Sequence, residues 1–203
     1  MSKSVVVPAD RDIRGTLDAP DADRCVVACP PHPQHGGNRN DPRLEAVSDD
    51  LDGACLRFDY GPWDEGHGEL EDVRAAYAWA RERYDAVGLF GYSFGGCLAL
   101  VAAAAESEAG TPPSAVAVLS PAASLAAGEL DAVAAVADID APMALVYGER
   151  DTMVDATAVA DALTDAGGDV VSLPADHFFV GQTQRVGAAI AAFFNDGALP
   201  DSV

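Results

Sequence analysis

Lysine is almost missing from this chain: Lys3 is the only one among 203 residues. Basic residues of both kinds number 12 against 33 acidic ones, a formal net charge of −21. A surface so negative repels phosphate backbones and anionic lipid, so neither a nucleic acid nor a membrane is expected as a partner. The acids are scattered along the whole chain, the pattern of a uniformly solvated surface. Such a composition suits a halophilic setting, because in molar salt the Debye length falls to about 3 Å and self-repulsion is screened. Long apolar runs are absent too: no stretch reaches the roughly 18 residues of a membrane span. The start, "MSKSVVVPADRD", has no basic stretch followed by an apolar core, so no secretory leader is expected. Cysteine is scarce. Cys25, Cys29, Cys55 and Cys97 follow no zinc spacing and sit in apolar runs, where thiols pack as small hydrophobes. A reduced, cytoplasmic protein is the simplest expectation, and no metal or cofactor is implied.

What is present is an alternation. "CVVACPP" is a continuous apolar run of the kind that forms a strand buried on both faces, and "ACLRFDY", "AVGLFG", "AVAVLSP", "MALVYG" and "DVVSLPA" repeat it. Between them "PRLEAVSDDL", "GELEDVRAAYAWARERY", the alanine-rich segment from Gly95 and "ATAVADALTDAG" read as helices. "FFVGQTQRVGAAIAAFF" reads as a last helix, and a short one is expected around Glu129 to Ala137. "SVVVPA" and "IRGTLDA" precede them as two short strands. Strand and helix alternating with short connections predict an α/β fold, a mainly parallel, doubly wound sheet with helices on both faces. One domain over 1–203 is expected, with a loose tail from about 196. Sites in such sheets lie at the carboxyl ends of the strands.

Those ends carry chemistry. Gly91-Tyr92-Ser93-Phe94-Gly95 fits G-x-S-x-G where a strand gives way to a helix, the context of a nucleophile elbow. A serine hydroxyl needs a base, and of His32, His35, His67 and His177 only His177 follows the last strand. The base needs an acid. "VYGERDTMVDA" offers Glu149, Asp151 and Asp155; Asp151 sits in the loop, Glu149 nearer the strand, and Asp155 reads as a helix cap. Asp176 adjoins His177, a poor position for facing it. Ser93, Asp151 and His177 are therefore the candidate catalytic residues. An oxyanion hole needs backbone donors: Phe94, which follows the serine, and a residue of "PHPQHGGN", where Pro33 has no N–H and Gln34 is the candidate. His32 and His35 read as loop-shaping. Asp59 ends its strand on the site edge, where a substrate contact is weighed; Glu69 is equally well explained as a helix-start acid favoured by the dipole, and Trp63 and Tyr92, as pocket-lining side chains, by ordinary packing.

With these motifs in view, the chain resembles the α/β-hydrolase superfamily, and within it the small, lidless group near the dienelactone hydrolases. "PHPQHGGNRNDPR" is similar to that group's oxyanion loop, and "RFDYGPWDEGHGELED" matches its next segment in part, with "YGPW" replacing an arginine-glycine turn. "GYSFGG", "YGERDTMV" and "DHFF" extend the likeness over nearly the whole chain, in the order Ser, Asp, His that these hydrolases use. Dienelactone hydrolases resemble this chain but use cysteine where Ser93 stands. The resemblance implies a serine hydrolase of ester, thioester or related acyl bonds, acting on a small-molecule acyl substrate. A binding protein on the same fold, or an acyltransferase with the same residues, are the alternatives, and a homo-oligomer is left open. Only about one helix fits between Ser120 and Pro142, so no lid is expected.

Overall fold

Five short runs of small and branched apolar residues, Arg24–Cys29 (β3), Ala54–Asp59 (β4), Ala86–Tyr92 (β5), Val116–Leu119 (β6) and Met143–Gly148 (β9), are buried along nearly their whole length. Side chains that alternate in direction along a strand must then find apolar cover on both faces. In the computed structural model, which describes residues 1–200, they do so by lying parallel in the centre of an eight-stranded sheet. Ser2–Val7 (β1) and Ile13–Asp18 (β2) extend one edge antiparallel, and Asp169–Leu173 (β10) closes the other, giving the order β1-β2-β4-β3-β5-β6-β9-β10.

The alternation divides the core in two. Cys25, Val27 and Cys29 of β3 join Leu56, Leu89 and Val118 on one face. Helices His67–Arg81 (α2), Phe94–Glu108 (α3), Ala132–Ala135 (α4) and Thr157–Asp165 (α5) cover that face. Val26 and Ala28, one residue out of step, join Phe90, Tyr92 and Val146 beneath Pro42–Asp50 (α1) and Thr183–Asp196 (α6). The sheet is thus wound on both sides, and its carboxyl edge is left to loops.

Three segments differ from the expectations raised by sequence. The last helix starts at Thr183 rather than at Phe178, because Phe179 (φ 51°) and Gly181 (φ 73°) adopt left-handed backbone that breaks a helix. Phe179 is fully buried, while Phe178 and Val180 are exposed. The interval after β6 holds a two-residue hairpin, Ser124–Leu125 (β7) with Leu130–Asp131 (β8), before α4, whose amides at Val133 and Ala134 are capped by Asp131 at 3.0 Å. This is too little chain to cover the carboxyl edge, and the fold has no lid. In the tail, Leu199 donates its N–H to the Asp169 carboxylate at 3.0 Å, so the chain is tied down past Asp196; 201–203 lie outside the described residues.

Candidate active site

Ser93 links the end of β5 to the first turn of α3 with φ 56° and ψ −115°. A non-glycine residue held there stores on the order of 1–3 kcal/mol of strain, tolerated only when its surroundings overdetermine it. They do. Ser93 N–H donates to Leu119, and the Ser93 carbonyl accepts from Gly96, Cys97 and Ala122. The flanking glycines have a steric cause: a Cβ at Gly91 would lie 2.2 Å from the Gly95 carbonyl oxygen, and one at Gly95 would lie 2.3 Å from that of Cys29. Helix and strand meet too closely for any side chain. Phe94, as the first helical residue, has an N–H with no partner inside the helix.

The structure brings Asp151 and His177 to this serine. His177 Nε2 is 3.0 Å from Ser93 Oγ, and His177 Nδ1 is 2.6 Å from Asp151 Oδ2. Both the imidazole and the carboxylate are almost wholly buried, at 8% and 4% exposure. With a carboxylate at Nδ1 the ring proton sits there, leaving Nε2 as the acceptor for the serine hydroxyl. The other oxygen of Asp151 accepts the N–H groups of Met153 and Val154, so the carboxylate cannot turn away. Backbone bonds continue past the strands: Glu149 N–H to Leu173 and Arg150 N–H to Ala175 join the Asp151 loop to the segment leading to His177. Tyr92 lines the cleft, its ring 5.3 Å from that of His177 and its hydroxyl bonded to the His177 carbonyl. The other acids weighed for the role face elsewhere. Glu149 accepts from Ser172, Asp155 from Thr157 beside α5, and Asp176 from the amides of Phe178 and Val180.

The loop after β3 requires a correction. The N–H of Gln34 is already donated to His32 Nδ1 at 3.2 Å, and Gln34 is absent from the cleft at Ser93, so it cannot receive a developing anion there. His32 lines that cleft, and its own N–H donates to no other group among the described residues. The signal lay in the sequence: Pro30, Pro31 and Pro33 lack an N–H, which leaves His32 the sole amide donor of that stretch. Asp59 does not face the cleft either; it accepts from the backbone and guanidinium of Arg39 at 2.8 and 2.6 Å. Glu69 is fully buried and accepts the N–H groups of Asp64 and Gly66, fixing the entry to α2. Trp63 is absent from the cleft lining and stacks on His32.

Ser93 and His177 open on a cleft of about 570 Å³. Its lining combines apolar side chains, Ala122, Leu125, Met153, Val154 and Phe178, with the polar His32, His35, Asp41 and Arg43. Arg43 is the only arginine or lysine there, and it is paired with Asp41 at 2.5 Å and stacked 4.6 Å over Tyr92. A smaller cavity, about 210 Å³, lies at the opposite end of the strands beside Arg24 and Phe194 and contains none of these groups. The four cysteines are free and buried, away from the cleft. Among the described residues no group of three or more His, Cys, Asp or Glu side chains is placed to hold a metal ion, and no helix is long and apolar enough to cross a membrane.

A family model described as serine hydrolase (FSH1) matches residues 45–187, well over half of the chain. No curated protein matches at a significant level. Among solved structures, XC6422 from Xanthomonas campestris, an α/β serine hydrolase without a lid, is 24% identical, with 100% of this chain and 97% of that one covered and a TM-score of 0.79. Dienelactone hydrolase from Anabaena variabilis is 24% identical, covers 98% of this chain and 99% of its own, and has a TM-score of 0.77. Est1E from Butyrivibrio proteoclasticus, at 18% identity, covers 94% and 97% with a TM-score of 0.78. At such identities the likeness is one of fold.

Proposed function

This chain belongs to the serine hydrolase (FSH1) family, and from that premise we propose that it cleaves an ester, thioester or related acyl bond through Ser93, His177 and Asp151. The observation that carries the reading is the buried chain of contacts from Ser93 Oγ through His177 to Asp151, ending on a serine in strained backbone. His177 Nε2 takes the Ser93 proton as Oγ bonds to the acyl carbon, and Asp151 stabilises the resulting imidazolium. The tetrahedral oxyanion accepts from the N–H of Phe94, at the positive end of α3, and from the N–H of His32 in the role first assigned to Gln34. His177 then gives its proton to the leaving group as the bond to it breaks. Water then gives a proton to the same nitrogen as its oxygen bonds to the acyl carbon, and the bond to Ser93 Oγ breaks as His177 returns that proton to Oγ, releasing the acid.

The cleft favours an uncharged substrate. Its one guanidinium is already neutralised by Asp41, and the net charge of −21 opposes the approach of anions. An apolar group fits the wall of Ala122, Leu125, Val154 and Phe178, next to exposed Met153. The absence of a lid leaves the acyl-enzyme open to water, which favours hydrolysis over transfer to another acceptor. Free, buried cysteines support a reducing, cytoplasmic setting.

The test is a fluorophosphonate probe applied in molar KCl, the adduct mapped by mass spectrometry with Ser93→Ala as control. A single adduct on Ser93 supports the reading. Folded protein that takes no adduct overturns it in favour of a binding role.

A further inference from the structure

His32 is held both by its main chain and by its ring. Its carbonyl accepts the N–H groups of His35 and Gly37 at 3.0 and 3.1 Å, and its Nδ1 accepts that of Gln34. Its ring stacks on those of His35, 4.4 Å away, and Trp63, 4.7 Å away, and leans on Phe94 at 4.9 Å. One imidazole thus ties together three loops: its own, the one entering α2, and the serine turn. The peptide that carries its N–H is braced from behind as well. Gly37 returns so close to the Pro31 carbonyl that a Cβ there would lie 2.1 Å from the oxygen. The backbone N–H is the one polar group of this residue's main chain left without a partner.

We propose that the His32 side chain, through Nδ1 accepting the Gln34 N–H, is a positioning residue that holds its own backbone N–H in place to receive the oxyanion, and that it does so as the neutral imidazole with its proton on Nε2. This rests on the acyl-transfer reading above. An Nδ1 that accepts a hydrogen bond cannot carry a proton, so protonation would set two N–H groups against each other and release the turn. The titratable neighbours are His35 on the same loop and Glu69 from α2; Trp63 and Phe94, packed on the ring from the other two loops, carry no charge. Burial, and then His35, push His32 below the ordinary imidazole range against the pull of Glu69, which favours the neutral ring.

Two variants separate acceptor from stack. His32→Asn keeps an oxygen that can accept the Gln34 N–H but loses the ring; His32→Phe keeps the ring but loses the acceptor. Each is compared with the parent in ester hydrolysis and in the rate of fluorophosphonate labelling. The expected result is that His32→Phe lowers kcat and labelling about 10- to 100-fold, below the full loss of an oxyanion donor, with KM within about twofold. His32→Asn restores most of the rate. Parental kcat in His32→Phe, or equal impairment of both variants, overturns the proposal while Ser93 labelling of the parent upholds the acyl-transfer reading. A parent that takes no label overturns both. Nitrogen-15 NMR of the unmodified protein tests the tautomer without any variant: a proton on Nδ1 of His32 overturns the proposal.

Discussion

The hydroxyl of Tyr92 donates to the backbone carbonyl of His177 across 2.9 Å, so the residue before the strained serine also carries the loop of the histidine that faces it. Tyr92→Phe removes that donor and leaves a buried carbonyl unpaired. It should cost about 1–3 kcal/mol in urea unfolding. A several-fold fall in kcat should accompany it, because His177 loses its brace. An unchanged unfolding midpoint would show that the contact contributes nothing.

Substitutions in the contact chain carry larger effects. Ser93→Ala or His177→Ala should lower kcat by on the order of 10⁶, and Asp151→Asn by on the order of 10⁴. Combining two of them should add little, since in the proposed mechanism the groups act as one unit. Turnover of a chromogenic ester, with folding checked by circular dichroism, measures this.

Arg11 stands between two fully buried carboxylates, with Nε 2.8 Å from Asp72 and Nη2 3.8 Å from Glu69. Arg11→Leu leaves both without a cation and should cost about 3–5 kcal/mol. Burial already pushes the Asp72 carboxyl upward, against the pull of Arg11. Without Arg11 that residue should bind a proton more readily, so the deficit between variant and parent should shrink as pH falls. Urea midpoints at several pH values test both the size and the sign.

Burial also raises the thiols, with Cys55 and Cys97 pushed up to about 12 and Cys25 and Cys29 shifted in the same direction. In the unfolded chain they titrate near about 8.5. The unfolded state therefore releases protons first, and stability should hold below that value and decline as pH rises through it. A thiol reagent should label none of the four in folded protein at pH 8 and all four in urea.

Salt should stabilise the fold. At 0.1 M the Debye length is about 10 Å, and at 1 M about 3 Å. A net charge of −21 thus repels itself far less in molar KCl, and the thermal midpoint should climb with salt. A flat response would mean that the acids are already balanced locally.

The central strands were legible because burial on both faces leaves a continuous apolar run, as in Cys25 to Cys29. The meeting of Ser93, Asp151 and His177 was legible for a topological reason: parallel strands deliver the loops that follow them to one edge. Spacing alone points to Gln34, whereas the fate of its N–H depends on the rotamer of His32, which no spacing encodes. Phe178 to Gln182 has the apolar content of a helix, yet Phe179 is buried with left-handed backbone, which interrupts one. Asp59 sits at the end of its strand as a site residue would, but an arginine 20 residues away in sequence claims it.

The backbone bonds from Glu149 to Leu173 and from Arg150 to Ala175 bear on how the molecule fluctuates. Exchange of the two amides with solvent requires these bonds to open, and an opening that parts the segments should also separate Asp151 from His177. Asp151 and His177 should therefore open as one cooperative unit rather than on two independent hinges. The protection of those two amides should then report how often this edge opens.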